Sequence, residues 1–525
     1  MDKTEQAAAF MSRSIVNELV SSMTTRIDRA RIKREVKQFF RYVMLSHKWD
    51  ENEPLYQQVI PIAVYDLEQS PTHDKLQTFC QIVRDAGFSW AWSDTCCIDK
   101  QDHFVLQEAL VAMFKWYRGS AMAIVFLRGV RSPAMLGDLA KSIWNTRAWT
   151  LQEYVAARVI RFYTEDWSPY LDLDVFNHKE SSQIISEMEE ATGVSAEQLK
   201  ALYPGLSSIQ EKLRLASTRH TTMVEDAAYS LLGIFSIAGI PAIYGEGEGA
   251  LGRLLAHILA GSGDASILAW TGQSSTYNSC LPAQIIAFNR PATSHLPLPI
   301  DYAEMENVVT TLRASTLDLD LALRLYDRLH EIPTPWFAAS RMKLPCIAFK
   351  LPALQHHRTH ASHLYRVDTA VFGTVEIKIK LDPSRLNSVY LVHPWLDALL
   401  GRDDTDIQSD TFEAHDIAEP SSPDRDDEDV SDDDMEDDAS PPPEPKSPSQ
   451  FASIDTTPVD RETHALQLVA RLRRPFGALL FTLASTRRRA VEYRRVAADS
   501  MITVQIQDNV PLTDVLDNVR ILDVL

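Results

Sequence analysis

Short apolar runs alternate with amphipathic stretches through the first third of the chain. Arg41–Ser46, Phe88–Ile98, Met122–Leu127 and Val159–Tyr163 are brief, apolar and bounded by polar residues or glycine, which is how buried strands read. Between them lie helical patterns. After Pro71, with Thr72 as the expected N-cap, Leu76, Phe79, Cys80 and Val83 share one face and Gly87 ends the segment. Phe104–Arg118 points Leu106, Leu110, Met113 and Trp116/Tyr117 inward and stops at Gly119; a third helix is expected around Thr150–Ala157. Strands alternating with helices predict an open parallel sheet with right-handed crossovers. Such sheets collect ligands beyond the carboxyl ends of their strands. Three polar clusters fall there: Ser46–Trp49, Asp94–Asp99 and Arg147–Glu153.

The rest of the chain changes texture twice. Residues 181–265 read as a helical extension, with capping boxes at Ser195…Gln198 and Ser208…Glu211 and apolar helices at Glu225–Phe235 and Glu248–Ala260. From Ser266 onward the segments Ser266–Trp270, Leu344–Lys350, Ala370–Leu381, Ser388–Val392, Ala465–Leu472, Ala478–Leu483 and Met501–Gln507 are short and punctuated by Pro, Asn and Asp. They predict a β-rich domain over 266–401 and 461–525, interrupted at 402–460 by an acidic, Ser/Pro-rich stretch with the composition of disorder. Ahead of the α/β domain (41–180), residues 1–40 form a helical arm: Ile15, Leu19, Met23 and Ile27 recur at helical spacing, followed by the basic run Arg29, Arg31, Lys33, Arg34 and Lys37.

Charge adds one fact to this layout. The net charge is −20, and the stretch from Gly401 to Lys446 holds 19 acidic against 3 basic residues, so the folded parts are close to neutral. Nothing in that balance points to nucleic acid. Five widely spaced cysteines, two of them adjacent, form neither a disulfide framework nor a zinc pattern, and no metal site is expected. Apolar runs stop short of the roughly 18 residues that span a bilayer, and the first residues lack a signal-peptide pattern. The expectation is a cytoplasmic protein with no membrane span.

Each cluster carries a bland reading beside a chemical one. In Thr150-Leu-Gln-Glu153, Glu153 can close a capping box at the helix start. It can equally be a carboxylate at the mouth of the sheet, beside the stacking face of Trp149 and the guanidinium of Arg147, placed to stabilise an oxocarbenium-like charge. Arg147 either binds phosphate or neutralises Glu153. Adjacent Ser46 and His47 on a strand face opposite ways, which rules out a direct nucleophile–base pair; His47 reads as structural. Cys96 and Cys97 read as buried strand residues, and Asp94 and Asp99 as ligand- or loop-binding carboxylates. Tyr244-Gly-Glu-Gly-Glu-Gly249 lacks the Lys-Ser/Thr of a P-loop and reads as a tight turn before a helix.

Taken in order, the motifs Leu-Ser-His-Lys-Trp (45–49), Ser-Asp-Thr-Cys-Cys-Ile-Asp-Lys (93–100), Met-Phe-Lys-Trp-Tyr (113–117), Thr-Arg-Ala-Trp-Thr-Leu-Gln-Glu (146–153), Val-Glu-Asp-Ala-Ala-Tyr-Ser-Leu-Leu-Gly-Ile-Phe (224–235) and Ile-Tyr-Gly-Glu-Gly-Glu (243–248) resemble those of the fungal heterokaryon incompatibility (HET) domain proteins. The resemblance spans about residues 40 to 270 and leaves the C-terminal half uncovered. It implies a role in self/non-self recognition ending in growth arrest or programmed cell death. The HET domain in turn looks like a divergent TIR domain, a flavodoxin-like sheet. In TIR enzymes a Trp-Cys-x-x-Glu motif carries the glutamate that cleaves the nicotinamide–ribose bond of NAD, and Trp149-Thr-Leu-Gln-Glu153 is similar, with Thr150 in place of the Cys. Asp50 also stands where many HET sequences have Gly. The resemblance implies NAD as a substrate, with no cofactor. Glu153 would then be catalytic, Trp49 and Trp149 would line the pocket, and Ser46, Asp94, Asp99 and Arg147 would contact ribose or phosphate. The alternative is a non-enzymatic module that binds partners through the same sheet edge. On either reading the HET domain is expected to self-associate, and the C-terminal domain to sense a protein partner.

Overall fold

The computed structural model describes residues 8–12, 29–173, 175–200, 202–289, 302–315, 319–338, 340–352, 354–356, 363–380, 388–394, 458–487 and 490–525. Ile15, Leu19, Met23 and Ile27 of the arm and the acidic stretch up to residue 457 lie outside the described residues. The basic run is helical, as α1 (Arg29–Phe39). Two units emerge: residues 1–299, 332–396 and 473–525 form the first, and residues 300–331 and 397–472 the second.

The first unit begins with the expected parallel sheet, made of β1 (Tyr42–His47), β2 (Trp90–Trp92), β3 (Met122–Leu127) and β4 (Ile160–Thr164), in the order β2-β1-β3-β4 with every pair parallel. β1 and β3 are the central pair, and their apolar runs are buried on both faces. The direction of strand addition reverses between β1 and β3, so a switch point opens at the carboxyl ends of these two strands. Crossovers are supplied by α2 (Pro71–Asp85), α3 (His103–Gly119) and α4 (Ala148–Ala156). The cap of α2 sits earlier than Thr72: Ser70 Oγ accepts the His73 N–H at 3.2 Å and Pro71 takes the first helical position. Thr72 is spent elsewhere, donating to the Asn52 carbonyl. Leu76, Phe79 and Val83 of α2 pack with Val43, Leu45, Ile124 and Phe126 of the sheet; each such side chain contributes about 1.5–3 kcal/mol of burial. Asp102 caps α3 by accepting from the Phe104 and Val105 N–H groups.

β2 is shorter than the apolar run that announces it. After Trp92 the chain turns, and Cys97 N–H donates back to the Ser93 carbonyl at 2.9 Å. Cys96 and Cys97 therefore lie in a turn rather than a strand; Cys96 is buried and Cys97 is exposed.

The helical extension is built from α5 (Ser182–Thr192), α6 (Ala196–Lys200), α7 (Ile209–Ser217) and α8 (Gly249–Ser262). The Ser195…Gln198 capping box forms, whereas Ser208 sits in the left-handed region and caps nothing. The Glu225–Phe235 segment reduces to one short helix, Asp226–Tyr229, followed by turns. His220 exchanges backbone hydrogen bonds with Thr146 and Ala148, which fastens the extension to the start of α4.

The remainder of this unit is largely β. Ala265–Leu268 is a 3-10 turn rather than a strand. β5 (Trp336–Ala338) lies beside β6 (Arg341–Lys350); β7 (Gln355–His356), β8 (Leu364–Thr369) and β9 (Gly373–Lys378) make a small antiparallel sheet. β10 (Val389–Pro394), β11 (Phe476–Arg487), β12 (Ala490–Val496) and β14 (Val519–Val524) pair in sequence, and β6 pairs with both β14 and β10, so the ladder closes on itself; β13 (Ile502–Val504) pairs with β11. Closure removes the exposed edges of that ring. Arg495, buried, donates to the Leu268, Trp270 and Cys280 carbonyls and ties the 265–283 segment to the ring.

The second unit departs from the β-rich expectation. It holds α9 (Tyr302–Ala314), α10 (Leu319–His330) and α11 (Pro458–Leu472), joined by a cluster of Met305, Val309, Leu466 and Ala470. Ala465–Leu472 reads as a strand in isolation, but Leu466, Val469 and Ala470 recur at helical spacing once the segment is extended back to Pro458. No helix among the described residues is long and apolar enough to cross a membrane.

Candidate functional site

The site is organised by the last two residues of β1, which point opposite ways. Ser46 turns toward α4. Its hydroxyl donates to Glu153 Oε2 and accepts the Trp144 indole N–H at 2.7 Å. Ser46 and Glu153 are 1% and 4% exposed. Burial, then the nearby Asp94 charge, push the Glu153 carboxyl up to about 8, against the Ser46 hydrogen bond and the Arg147 and Arg219 charges that pull it down. At neutral pH the carboxyl is therefore mostly protonated.

The capping-box reading of Glu153 is not what forms. α4 starts at Ala148, so Thr150 lies inside the helix, where its hydroxyl faces the Trp144 and Arg147 carbonyls. Arg219, buried, donates to the Arg147 carbonyl, to Thr150 Oγ1 and to Asn145 Oδ1 at 2.8–2.9 Å. Thus Thr150 is part of the brace that holds the helix. At the other end Lys179 Nζ donates to the Tyr154, Val155 and Ala157 carbonyls, which places a cation at the negative helix terminus. α4 is buried from Thr150 to Ala156, and Glu153 is closed in with it.

His47 turns the other way. Its Nε2 lies 3.2 Å from Asp94 Oδ1, and the Trp49 indole donates to Asp94 Oδ2 at 2.7 Å. Burial raises the Asp94 carboxyl, but the His47 bond and the His47, Lys100 and Arg147 charges outweigh it and hold it below its ordinary value. An ionised Asp94 can only accept, so His47 Nε2 carries a proton. Arg147 donates to the His47 carbonyl at 2.5 Å. Trp49, 40% exposed, presents its face to Lys100 Nζ at 3.5 Å and to the Arg147 guanidinium at 5.8 Å. Behind His47 lies a buried ionic group. Lys75 pairs with Glu53 and with Asp50 at 3.1 Å, Arg128 also reaches Asp50, and Glu53 Oε1 sits 3.8 Å from His47 Nδ1.

The expected site residues thus fall into four places. Ser46 and Glu153 meet inside the domain, while Trp49, Asp94 and Arg147 meet at its rim. Asp99 accepts from Gln57 Nε2 and the Gln101 N–H and fixes its own loop. Trp149 packs against the Ile98, Ala109 and Met113 cluster. The glycine turn at 245–249 is occupied by the protein itself: Glu225 accepts the Gly245 and Gly247 N–H groups, and Glu246 pairs with Arg253. A cavity of about 580 Å³ lies elsewhere, lined by residues such as Gln273, Gln284 and Lys378. Sequence reasoning misses Trp144, Arg219 and the Lys75 group. For Lys75 a signal exists, because it lies on the same helical face as Thr72, Leu76, Phe79 and Val83, and a lysine on a buried stripe implies an internal anion.

This sheet edge lies at the heart of a recognisable unit. Residues 42–137 match the family model described as Heterokaryon incompatibility protein (HET). Over those residues the chain is similar to a HET domain. Ser46, Trp49, Asp94 and Asp99 fall within the matched residues, while Arg147, Trp149 and Glu153 follow them. Over 230 residues the chain is 35% identical to the vegetative incompatibility protein HET-E-1 of Podospora anserina, a similarity that covers 41% of this chain and 16% of that protein. No solved structure matches the chain.

Proposed function

We propose that this chain acts in heterokaryon incompatibility, as a cytoplasmic self/non-self recognition protein. Its HET domain signals growth arrest or cell death through protein contacts at the β1/β3 edge. The HET match and the likeness to HET-E-1 support the incompatibility role. One observation favours contacts over chemistry: Glu153 is buried against Ser46, beneath Trp144 and inside a helix braced at both ends. A carboxyl so held is neutral and has no face toward a sugar. The rim above it, with Trp49 between Lys100 and Arg147, is instead open to a partner. The second copy of a homo-oligomer fits that role, with the C-terminal β region as the sensor.

A second reading is an NAD glycohydrolase that works only once assembled, with Glu153 stabilising the ribosyl cation. What favours it is the strand order β2-β1-β3-β4, with which flavodoxin-like sheets begin, and the place of Glu153 at the switch point. It requires α4 to shift so that Glu153 leaves Ser46 and ionises. Incubating concentrated full-length protein with NAD and measuring free nicotinamide separates the two. Release that wild type shows and Glu153→Gln lacks replaces the contact reading with the enzymatic one. No release at any degree of assembly supports the contact reading.

A further inference from the structure

Residues 42–137 hold three cysteines that lie outside the Ser46–Glu153 and His47–Asp94 networks. Cys96 belongs to the sheet core and Cys80 of α2 packs against the same cluster, while Cys97, next along the turn, is exposed. The turn grips the Cys97 sulfur: Ser93 N–H donates to Cys97 Sγ at 3.4 Å, and Cys97 N–H returns a bond to the Ser93 carbonyl. A backbone N–H aimed at sulfur favours thiolate. The neighbouring Cys96 thiol and the Ser93 N–H hold Cys97 below the ordinary thiol value, while Cys97 and burial raise Cys96. The other three thiols are poor nucleophiles. Burial and the neighbouring Cys97 push Cys80 up to about 11, burial takes Cys280 to about 12, and burial also raises Cys346.

We propose that Cys97 is an oxidation site and Cys96 its resolving thiol, the two closing a vicinal disulfide inside the turn that carries Asp94. With hydrogen peroxide as oxidant, the Cys97 thiolate takes one peroxide oxygen, the O–O bond breaks and the departing hydroxide is protonated to water. The sulfenic acid so formed carries no negative charge, so the repulsion that a Cys97 thiolate exerts on a Cys96 thiolate is gone. The Cys96 sulfur then displaces hydroxide from the Cys97 sulfur, its own proton leaving with that hydroxide as a second water. Two thiols are oxidised to one S–S bond, and one peroxide is reduced to two waters. A disulfide between adjacent residues is strained and therefore easily reduced again. Closing it takes the Cys97 sulfur away from the Ser93 N–H. Asp94 sits between those two residues and holds both His47 and Trp49, so the ring loosens Trp49 at the rim. The thiol chemistry is the same whether that rim meets a protein or a nucleotide.

The test is peptide mapping of the full chain. Trypsin releases Cys80 in Leu76–Arg84 and both vicinal cysteines in Asp85–Lys100. After brief peroxide treatment Asp85–Lys100 is expected to lose two hydrogens and to resist alkylation, and dithiothreitol is expected to restore both. Cys96→Ser should stop at a sulfenic acid that dimedone traps on Cys97, and Cys97→Ser should leave Cys96 reduced. On the untreated chain at neutral pH, iodoacetamide should label Cys97 at least about tenfold faster than Cys80. Equal labelling rates, an unchanged Asp85–Lys100 mass or a crosslink between the two peptides would overturn the proposal. The wild-type measurements decide it even if a variant fails to fold.

Discussion

Replacing Glu153 with glutamine should flatten part of the pH dependence of stability. In the native state the carboxyl is raised from 4.5 to about 8, chiefly by burial, while in the unfolded chain it titrates near its ordinary value. Between those two values the unfolded state has lost a proton that the native state keeps. Rising pH therefore favours unfolding: the stability is fully present below about pH 4.5 and is lost as pH climbs toward 8. The full gap corresponds to about 5 kcal/mol, at about 1.4 kcal/mol per pH unit in its steep part. Glutamine keeps an oxygen to accept from Ser46 but cannot ionise, and its buried NH2 adds a penalty of about 1–3 kcal/mol that does not vary with pH. Urea denaturation of both proteins at several pH values, followed by tryptophan fluorescence, gives the difference in unfolding free energy; other titrating groups cancel in that difference. It should move by about 4 kcal/mol in favour of the variant between pH 5 and pH 8. A difference that stays constant across the range would mean that Glu153 is solvated or already ionised, and the buried-carboxyl argument would fall.

Two substitutions probe the frame around the site. Lys75→Met leaves Glu53 and Asp50 short of a buried partner and should cost about 3–5 kcal/mol, read as a lowered denaturation midpoint; a neutral outcome would show that the group is hydrated. Gly233→Ala would drive a Cβ into the Phe114 side chain of α3, and should cost at least about 1–3 kcal/mol in the same assay. An unchanged midpoint there would place the extension differently against α3.

How much was legible depended on the range of the interactions. β1, β3 and β4 show as apolar runs because both their faces are covered, and such runs need no distant information. The opposite facing of Ser46 and His47 also follows from strand parity alone. β2 falls short of its apolar run because Thr95-Cys96-Cys97-Ile98 has the composition of a strand, whereas the Ser93 hydrogen bonds close a turn there. α11 hides in the short apolar run Ala465–Leu472, whose helical spacing shows only over the full length from Pro458. The fate of Glu153 was not legible at all. Its capping box and its open-site reading are both local, and both lose to Ser46, 107 positions away in the chain, and to Trp144, which lies 98 positions from Ser46.

Carboxyl footprinting reaches the central claim most directly. The full chain is treated with a carbodiimide and an amine near neutral pH, and modification at each acid is read by mass spectrometry. Exposed Glu51 and Glu68 should be labelled readily and Glu153 should stay unmodified. Labelling of Glu153 at the rate of Glu51 would contradict the account, because it would place that carboxyl in solvent at the sheet edge.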